Sequence, residues 1–119
     1  MFDNERLVLK QLAKWDSGFP KILQTVNFPD KTHGIVMDFL GVHLKRYVNL
    51  HSPSRESILR IGALLISSLE KLHRSGFVHG KIKPESILIM PAQNSMQEVT
   101  VSLIDFTFAK PFAIVESDS

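Results

Sequence analysis

The chain contains no cysteine among its 119 residues, which excludes disulfides and thiolate metal sites. It also lacks any run of about 18 apolar residues, the length that a membrane-spanning helix needs. Near the N-terminus, Asp3, Glu5 and Arg6 interrupt the apolar residues, which is not the pattern of a secretory signal. We therefore expect an intracellular protein, cytoplasmic or nuclear, that does not engage a membrane.

Charge and histidine spacing exclude two further classes of protein. The formal net charge of +2 is too small and too scattered to indicate nucleic-acid binding. Apolar residues make up 44% of the chain and charged residues 22%, a composition typical of one globular domain with a hydrophobic core. No repeat or low-complexity tract is present. A histidine metal site is not expected, because no metal-ligand spacing relates His33, His43, His51 and His73.

The first half of the chain alternates between helical and strand-like patterns. Residues 3–15 place Leu7, Val8, Leu12 and Trp15 at helical intervals, and Gly18 and Pro20 follow as stop signals. Two short apolar runs, 21–28 and 33–40, flank a turn-forming segment at 29–32, which predicts a hairpin. Residues 42–50 suit a short helix.

The second half begins with the longest predicted helix, which runs from Ser54, a plausible N-cap, to Arg74. Strands are predicted at 87–90 and 99–104, and the polar linker 91–98 is expected to be a loose loop. The long helix is amphipathic, with apolar residues at steps of three and four: Ile58, Ile61, Leu65, Leu69 and Leu72.

One motif carries most of the functional information. Residues 79–86 read His-Gly-Lys-Ile-Lys-Pro-Glu-Ser, and residues 104–107 read Ile-Asp-Phe-Thr. Their order and spacing resemble the protein-kinase catalytic loop, H-R-D-L-x-x-x-N, followed by D-F-G. Three of the letters that differ carry chemistry in the motif: Lys81 stands at the catalytic aspartate, Ser86 at the second metal ligand and Thr107 at the glycine of D-F-G.

Two further segments narrow the resemblance to the casein kinase I and vaccinia-related kinase group. Residues 39–44, Phe-Leu-Gly-Val-His-Leu, are similar to the group's L-L-G-x-x-L hinge, and residues 78–80 are similar to the start of the loop in vaccinia-related kinases. The resemblance implies an α+β fold that is part of a protein-kinase domain over residues 1–115, followed by a polar tail, 116–119. It would include helix C, the strand 4–5 hairpin, the hinge, helices D and E, the catalytic loop and the strand 6–9 region. The glycine-rich loop and the later large-lobe helices would be lacking.

The resemblance also implies roles for individual residues. Glu5 would be the glutamate of helix C, Lys83 the loop lysine that steadies the transferred phosphoryl group, and Asp105 the magnesium ligand. Leu9, His79 and Phe106 would stack in the apolar spine between the lobes. The adenine pocket, if nucleotide binds, would use the gatekeeper Met37, the hinge residues Asp38, Phe39 and Leu40, and the floor residues Leu88 and Ile104.

Each of these residues also has a structural interpretation. His79 can be a packed, hydrogen-bonded core histidine, and Asp105 can cap a turn. Lys81 and Lys83 can be an exposed basic pair. Glu5 can be a solvated carboxylate at a helix N-terminus.

The substitutions favour a structural role of the loop over a catalytic one. An ammonium group has no lone pair with which to accept a proton, so Lys81 cannot replace the aspartate. Ser86 offers only a neutral hydroxyl, and Thr107 adds a Cβ where glycine gives backbone freedom. We expect the degenerate loop of His79, Lys81, Lys83 and Ser86 to have no catalytic function and the chain to hold no cofactor.

The sequence therefore predicts a pseudokinase that serves as a structural or interaction subunit of a larger assembly. The alternative is a serine/threonine kinase relative that binds ATP with magnesium weakly and transfers phosphate weakly or atypically. A protein partner is expected to cover the 54–74 helix and the C-terminal segment, since apolar residues there would lack internal partners. These residues are Ile58, Ile61, Leu65, Phe108, Phe112 and Ile114.

Overall fold

The computed structural model of the chain describes residues 2–38, 40–92 and 95–111. Over these residues the chain is a small α+β domain with three α-helices and short antiparallel sheets. The helices are α1 (Phe2–Leu12), α2 (Leu44–His51) and α3 (Arg55–Arg74), with a 3-10 helix at Pro84–Ser86. The strands are β1 (Ile22–Asn27), β2 (His33–Met37), β3 (Val42–His43), β4 (Phe77–Val78), β5 (Ile87–Ala92), β6 (Ser95–Leu103) and β7 (Lys110–Pro111).

Strands β1 and β2 form the predicted hairpin, closed where Asn27 pairs with His33. Its turn is held by the side chain of Asp30, which accepts a hydrogen bond of 2.6 Å from the Thr32 hydroxyl. The backbone N–H of Phe28 donates to the Thr32 carbonyl at 2.9 Å. The turn composition of residues 29–32 therefore predicted this hairpin correctly.

Strand β5 lies at the centre of a second sheet, between β3 and β6. The expected loose loop at 91–98 was wrong for most of its length, because Pro91 pairs with Val99 and Ala92 with Ser95. An antiparallel ladder is held by backbone groups and does not require apolar side chains. The register shifts between Pro91 and Ala92, where a proline without an N–H is tolerated. Residues 93 and 94 of that predicted loop lie outside the described residues.

Helix α1 ends at Leu12, three residues earlier than predicted. Trp15 lies beyond it, and its indole N–H donates to the Ser75 hydroxyl at 2.8 Å. The buried side of α1 also differs from the predicted stripe: Leu7 is 53% exposed, whereas Leu9 is only 2% exposed. The sequence pattern alone did not anticipate that Trp15 would leave the helix to contact the end of α3.

Helix α3 begins and ends as predicted, and Ser54 caps it by accepting a hydrogen bond from the Ser57 N–H at 3.2 Å. Two residues expected to lack internal partners, Ile61 and Leu65, instead pack into the core, because α3 lies against β6. Ile58 and Phe108 are exposed as expected, at 44% and 48%. The remaining two, Phe112 and Ile114, lie outside the described residues, as does the 116–119 tail.

A single cluster of buried side chains joins the helices to the β3–β5–β6 sheet. The cluster contains Val8, Leu9, Leu12, Phe19, Tyr47, Ile61, Leu72, Ile87, Ile89, Val99, Val101, Leu103, Phe106 and Ala109.

Within the described part of the chain, no helix is long and apolar enough to cross a membrane.

Candidate functional site: the degenerate catalytic loop

His79 fixes the start of the loop through both ring nitrogens. Its Nε2 lies 2.7 Å from the Ile104 carbonyl oxygen, and its Nδ1 accepts a hydrogen bond of 3.2 Å from the Lys81 backbone N–H. A carbonyl accepts and an N–H donates, so these two contacts place the ring proton on Nε2. The ring is 2% exposed and meets Phe106 edge-on, with centroids 5.3 Å apart. His79 thus has the contacts of a packed, hydrogen-bonded core histidine.

Gly80 allows the loop to lie directly against the segment that follows Asp105. Its φ is +87°, and a Cβ at this position would lie 2.5 Å from the carbonyl oxygen of Phe108. Both the backbone conformation and the close approach require glycine. The arginine that the resembled motif carries here would not fit this backbone.

Ser86 is buried inside the loop with every polar group engaged. Its hydroxyl donates to the Lys81 carbonyl at 3.3 Å, its N–H donates to the Lys83 carbonyl at 2.8 Å, and its carbonyl accepts from the Ile104 N–H at 2.8 Å. The side chain has 0% exposure. Ser86 therefore closes the loop and connects it to Ile104, the residue after β6, in a place that solvent does not reach.

Lys81, at the position of the catalytic aspartate, lies on the surface. Its ammonium group is 4.7 Å from the centre of the Phe108 ring, within the range of a cation–π contact. Lys83 is half-buried and extended in backbone conformation, immediately before the 3-10 helix. The two lysines are therefore not equivalent, since Lys81 packs on an aromatic ring and Lys83 leads into the turn.

Asp105 adopts a left-handed backbone conformation, with a φ of +62°. Its carboxylate accepts a hydrogen bond of 2.8 Å from the Thr107 hydroxyl and a longer one, 3.4 Å, from the Thr107 N–H. Asp105 thus caps its own turn. From the sequence, Thr107 was interpreted only as the loss of a flexible glycine. In the structure φ is positive at Asp105 and not at Thr107. The threonine instead contributes a hydrogen bond to the Asp105 carboxylate.

The N-terminus of α1 is attached to this turn. The side-chain amide of Asn4 donates to the carbonyl oxygens of Phe106, Thr107 and Ala109, at 3.3, 3.2 and 3.0 Å. Sequence reasoning missed Asn4 because an asparagine in a first helical turn looks like an ordinary surface residue. A signal would have been its position beside Glu5, the residue to which the resemblance assigns the role of the helix C glutamate.

Glu5 is half-buried rather than fully solvated. Burial raises the pKa of its carboxyl group, and the charge of Asp105 raises it further, while a hydrogen bond from the Phe106 backbone acts in the opposite direction. Glu5 and Asp105 therefore share one neighbourhood. No cluster of three histidine or acidic side chains suited to a metal is found among the described residues.

The residues of the expected adenine pocket are divided between two sheets. Met37 ends β2, and the carboxylate of the following Asp38 accepts a hydrogen bond of 2.7 Å from the Lys21 N–H. Leu88 lies in the other sheet, where it pairs with His43 and Ser102. Ile104 directly follows β6.

The hinge itself lies close against β5. A Cβ on Gly41 would stand 2.1 Å from the Ile89 carbonyl oxygen, and Val42 pairs with Ile89. Leu40 is half-buried next to it, and Phe39 lies outside the described residues. The structure thus places Val42 and His43, after the hinge residues, beside β5; nucleotide binding at the hinge and at Leu88 stays a prediction.

Comparison with known proteins places these features in context. No protein-family model matches the chain. The chain is 28% identical over 112 residues to the sporulation protein kinase mde3 of Schizosaccharomyces pombe, covering 90% of this chain and 20% of that protein. It is 40% identical over 77 residues to the casein kinase 1-like protein HD16 of Oryza sativa subsp. japonica, covering 63% of this chain and 11% of that protein. It is 32% identical over 82 residues to the human serine/threonine-protein kinase VRK3, covering 66% of this chain and 17% of that protein.

The chain therefore has distant, partial homology to protein kinases, including a casein kinase 1-like protein and VRK3. It spans a fifth or less of the length of these curated relatives. The predicted relatedness to protein kinases is confirmed at this level. The predicted lack of catalysis and the role as a subunit stay predictions.

Proposed function

We propose that this chain is a non-catalytic, kinase-like module that acts as an interaction subunit of a larger assembly. The observation that carries this proposal is the internal use of the loop's polar groups. The Ser86 hydroxyl donates a hydrogen bond to the Lys81 carbonyl, and the Asp105 carboxylate accepts one from the Thr107 hydroxyl. The positions that would have to reach metal and substrate instead stabilise the turn in which they lie.

Phosphoryl transfer needs a group that positions the acceptor hydroxyl, and metal ions that bridge the phosphates. Lys81 has no acceptor lone pair and lies against Phe108. The half-buried Glu5 adds a second carboxyl group beside Asp105, and burial raises the pKa of that group. These contacts support a loop retained for its shape, with a surface role for the chain.

The second candidate is a serine/threonine kinase relative that binds magnesium-ATP weakly. It is favoured by the names of the matched relatives, which are protein kinases, and by Asp105 at the magnesium position, with its carboxylate only half-buried. A nucleotide in this site would have Asp105 on the metal. That contact would compete with the hydrogen bond from Thr107.

The test is thermal unfolding with and without millimolar magnesium-ATP. A ligand present at a hundred times its dissociation constant stabilises the folded state by about 2.7 kcal/mol. We expect no shift for the wild-type chain or for Asp105→Asn. A shift that requires magnesium and is lost in Asp105→Asn would support the second candidate and contradict the absence of a cofactor.

A further inference from the structure

The face of α3 that points away from the core carries an apolar stripe. Leu59 and Ile66 are 63% and 67% exposed, and Ala63 between them is also exposed. With 3.6 residues per turn, this stripe lies opposite the buried Ile61 and Leu72. Among the described residues, nothing comes within 4 Å of a Cβ built on neighbouring Gly62. The stripe is therefore open along two turns of the helix.

The residues of this face are arranged symmetrically about a point between Gly62 and Ala63. Leu59 and Ile66 lie at equal distances from that point, as do Arg55 and Glu70 farther out. A helix with such a face can meet a second copy of itself antiparallel, so that each residue faces the residue at the same distance on the other side of that point. Leu59 would then contact Ile66 of the other copy.

We propose that α3 pairs antiparallel with α3 of a second copy of this chain, through Arg55, Leu59, Ala63, Ile66 and Glu70. The inference deepens the proposed interaction role, on which it rests, by naming the partner. The small residues Gly62 and Ala63 lie where the two helices cross, which permits close approach of the backbones. The flanking side chains bury apolar surface that is exposed in one copy.

Charge determines the antiparallel direction. In this orientation Arg55 of each copy meets Glu70 of the other, at both ends of the contact. Glu70 already holds Arg74 of its own helix at 2.9 Å, so it would lie between two arginines. A parallel pair would place Arg55 against Arg55 and Glu70 against Glu70, and such like-charge contacts are unfavourable.

The interface is small. Helix α3 has 20 residues, about 30 Å of length, and its apolar stripe occupies only the middle. Interfaces of this size form weak or transient complexes. We therefore expect a dimer whose population rises with protein concentration.

Sedimentation velocity over a range of concentrations tests the proposal. Ile66→Glu should make the protein monomeric, whereas Leu23→Glu, at a residue of similar exposure (64%) on β1, should leave the dimer unchanged. Arg55→Glu and Glu70→Arg should each weaken association, and the double variant should restore it. A monomeric wild-type chain, or equal effects at Ile66 and Leu23, would overturn the dimer.

Engineered disulfides test the direction, because the native chain has no cysteine. Ala63→Cys lies beside the symmetry point, so two copies should cross-link under mild oxidation. Arg74→Cys should not, since its symmetry mate would be roughly 35 Å away along the helix axis, far beyond disulfide reach. Efficient cross-linking at Arg74→Cys, or none at Ala63→Cys, would contradict the antiparallel pair.

These outcomes are separate from those of the proposed function. If the chain is monomeric and does not bind magnesium-ATP, the proposed dimer is contradicted but the proposed non-catalytic role is not. If the chain dimerises and binds magnesium-ATP through Asp105, the proposed interface is supported and the proposed non-catalytic role is contradicted.

Discussion

The hydroxyl group of Ser86 donates a hydrogen bond of 3.3 Å to the carbonyl oxygen of Lys81. These residues stand at two positions that carry the chemistry in the kinase motif that the loop resembles, the catalytic aspartate and the second metal ligand. Here they contact each other and determine the shape of the loop. Ser86 therefore has a structural role in the loop that the sequence motif alone does not reveal.

Ser86→Asn, which places the motif's own residue in the loop, should destabilise the protein. Ser86 has 0% exposure, and a larger side chain in a packed site typically costs about 1–3 kcal/mol. Urea unfolding measures the change, with the exposed Ser67→Asn on α3 as the control. An Asn variant as stable as the wild type would show that the loop has room for a metal ligand here.

Gly80→Ala should also be destabilising, by more than about 1 kcal/mol, because a Cβ at a φ of +87° would meet the Phe108 carbonyl. Gly62→Ala is the matched control. It lies in an open helical position, where alanine is favoured over glycine by up to about 1 kcal/mol. Unfolding is measured at high dilution, so that association through α3 does not contribute. The two variants should change stability in opposite directions.

Asn4→Ala should loosen the contact between α1 and the turn after Asp105. The amide group of Asn4 has two hydrogens shared among three carbonyls, so about 1–2 kcal/mol of stability should be lost. Hydrogen exchange at the backbone of residues 106–109 should accelerate as well. Gln11→Ala, exposed on the same helix, should change neither quantity appreciably. Unchanged exchange in Asn4→Ala would contradict the proposed anchoring.

Glu5 should give a stability difference that depends on pH. Burial raises the pKa of its carboxyl group above the ordinary value of 4.5, so the folded state binds the proton more tightly than the unfolded chain. The stabilisation of the folded state by proton binding to Glu5 is fully present below pH 4.5. It is lost as the pH rises through the folded-state pKa. Glu5→Gln removes this loss and retains an acceptor for the Phe106 N–H.

The melting temperature of Glu5→Gln should therefore exceed that of the wild type at pH 7, and the difference should shrink as the pH falls. Glu85→Gln, at an exposed carboxylate, controls for the change in net charge. A difference that stays constant with pH, or grows towards acid, would show that Glu5 is not disfavoured in its charged form.

Turn composition, apolar spacing and capping predicted two parts of the fold correctly. The β1–β2 hairpin and the α3 helix with its Ser54 cap follow from turn composition and apolar spacing. The strands β5 and β6 were also predicted, but the extension of their pairing beyond Met90 and Val99 was not, because backbone pairing holds polar residues as readily as apolar ones. The departure of Trp15 from α1 depends on Ser75, 60 residues away, which no local pattern contains.

The sequence located the loop and one of its contacts, but not the others. The spacing of residues 79–86 and 104–107 located the loop, and the packing of His79 against Phe106 is as expected. The role of Thr107 and the reach of Asn4 could not be predicted, because both depend on the left-handed turn at Asp105. A positive φ is uncommon for residues other than glycine, although aspartate adopts it more often than most, and nothing in the local sequence indicated it here.

The most direct test of the central claim is transfer of labelled phosphate from magnesium-ATP to general acceptor proteins. The wild-type chain and Lys81→Asp are measured side by side, together with the triple variant Lys81→Asp, Ser86→Asn, Thr107→Gly, whose folding is checked by circular dichroism. We predict that none of them transfers phosphate above the level of Asp105→Asn. Magnesium-dependent transfer by the wild type or by Lys81→Asp, abolished when Asp105 is changed to Asn, would contradict the account.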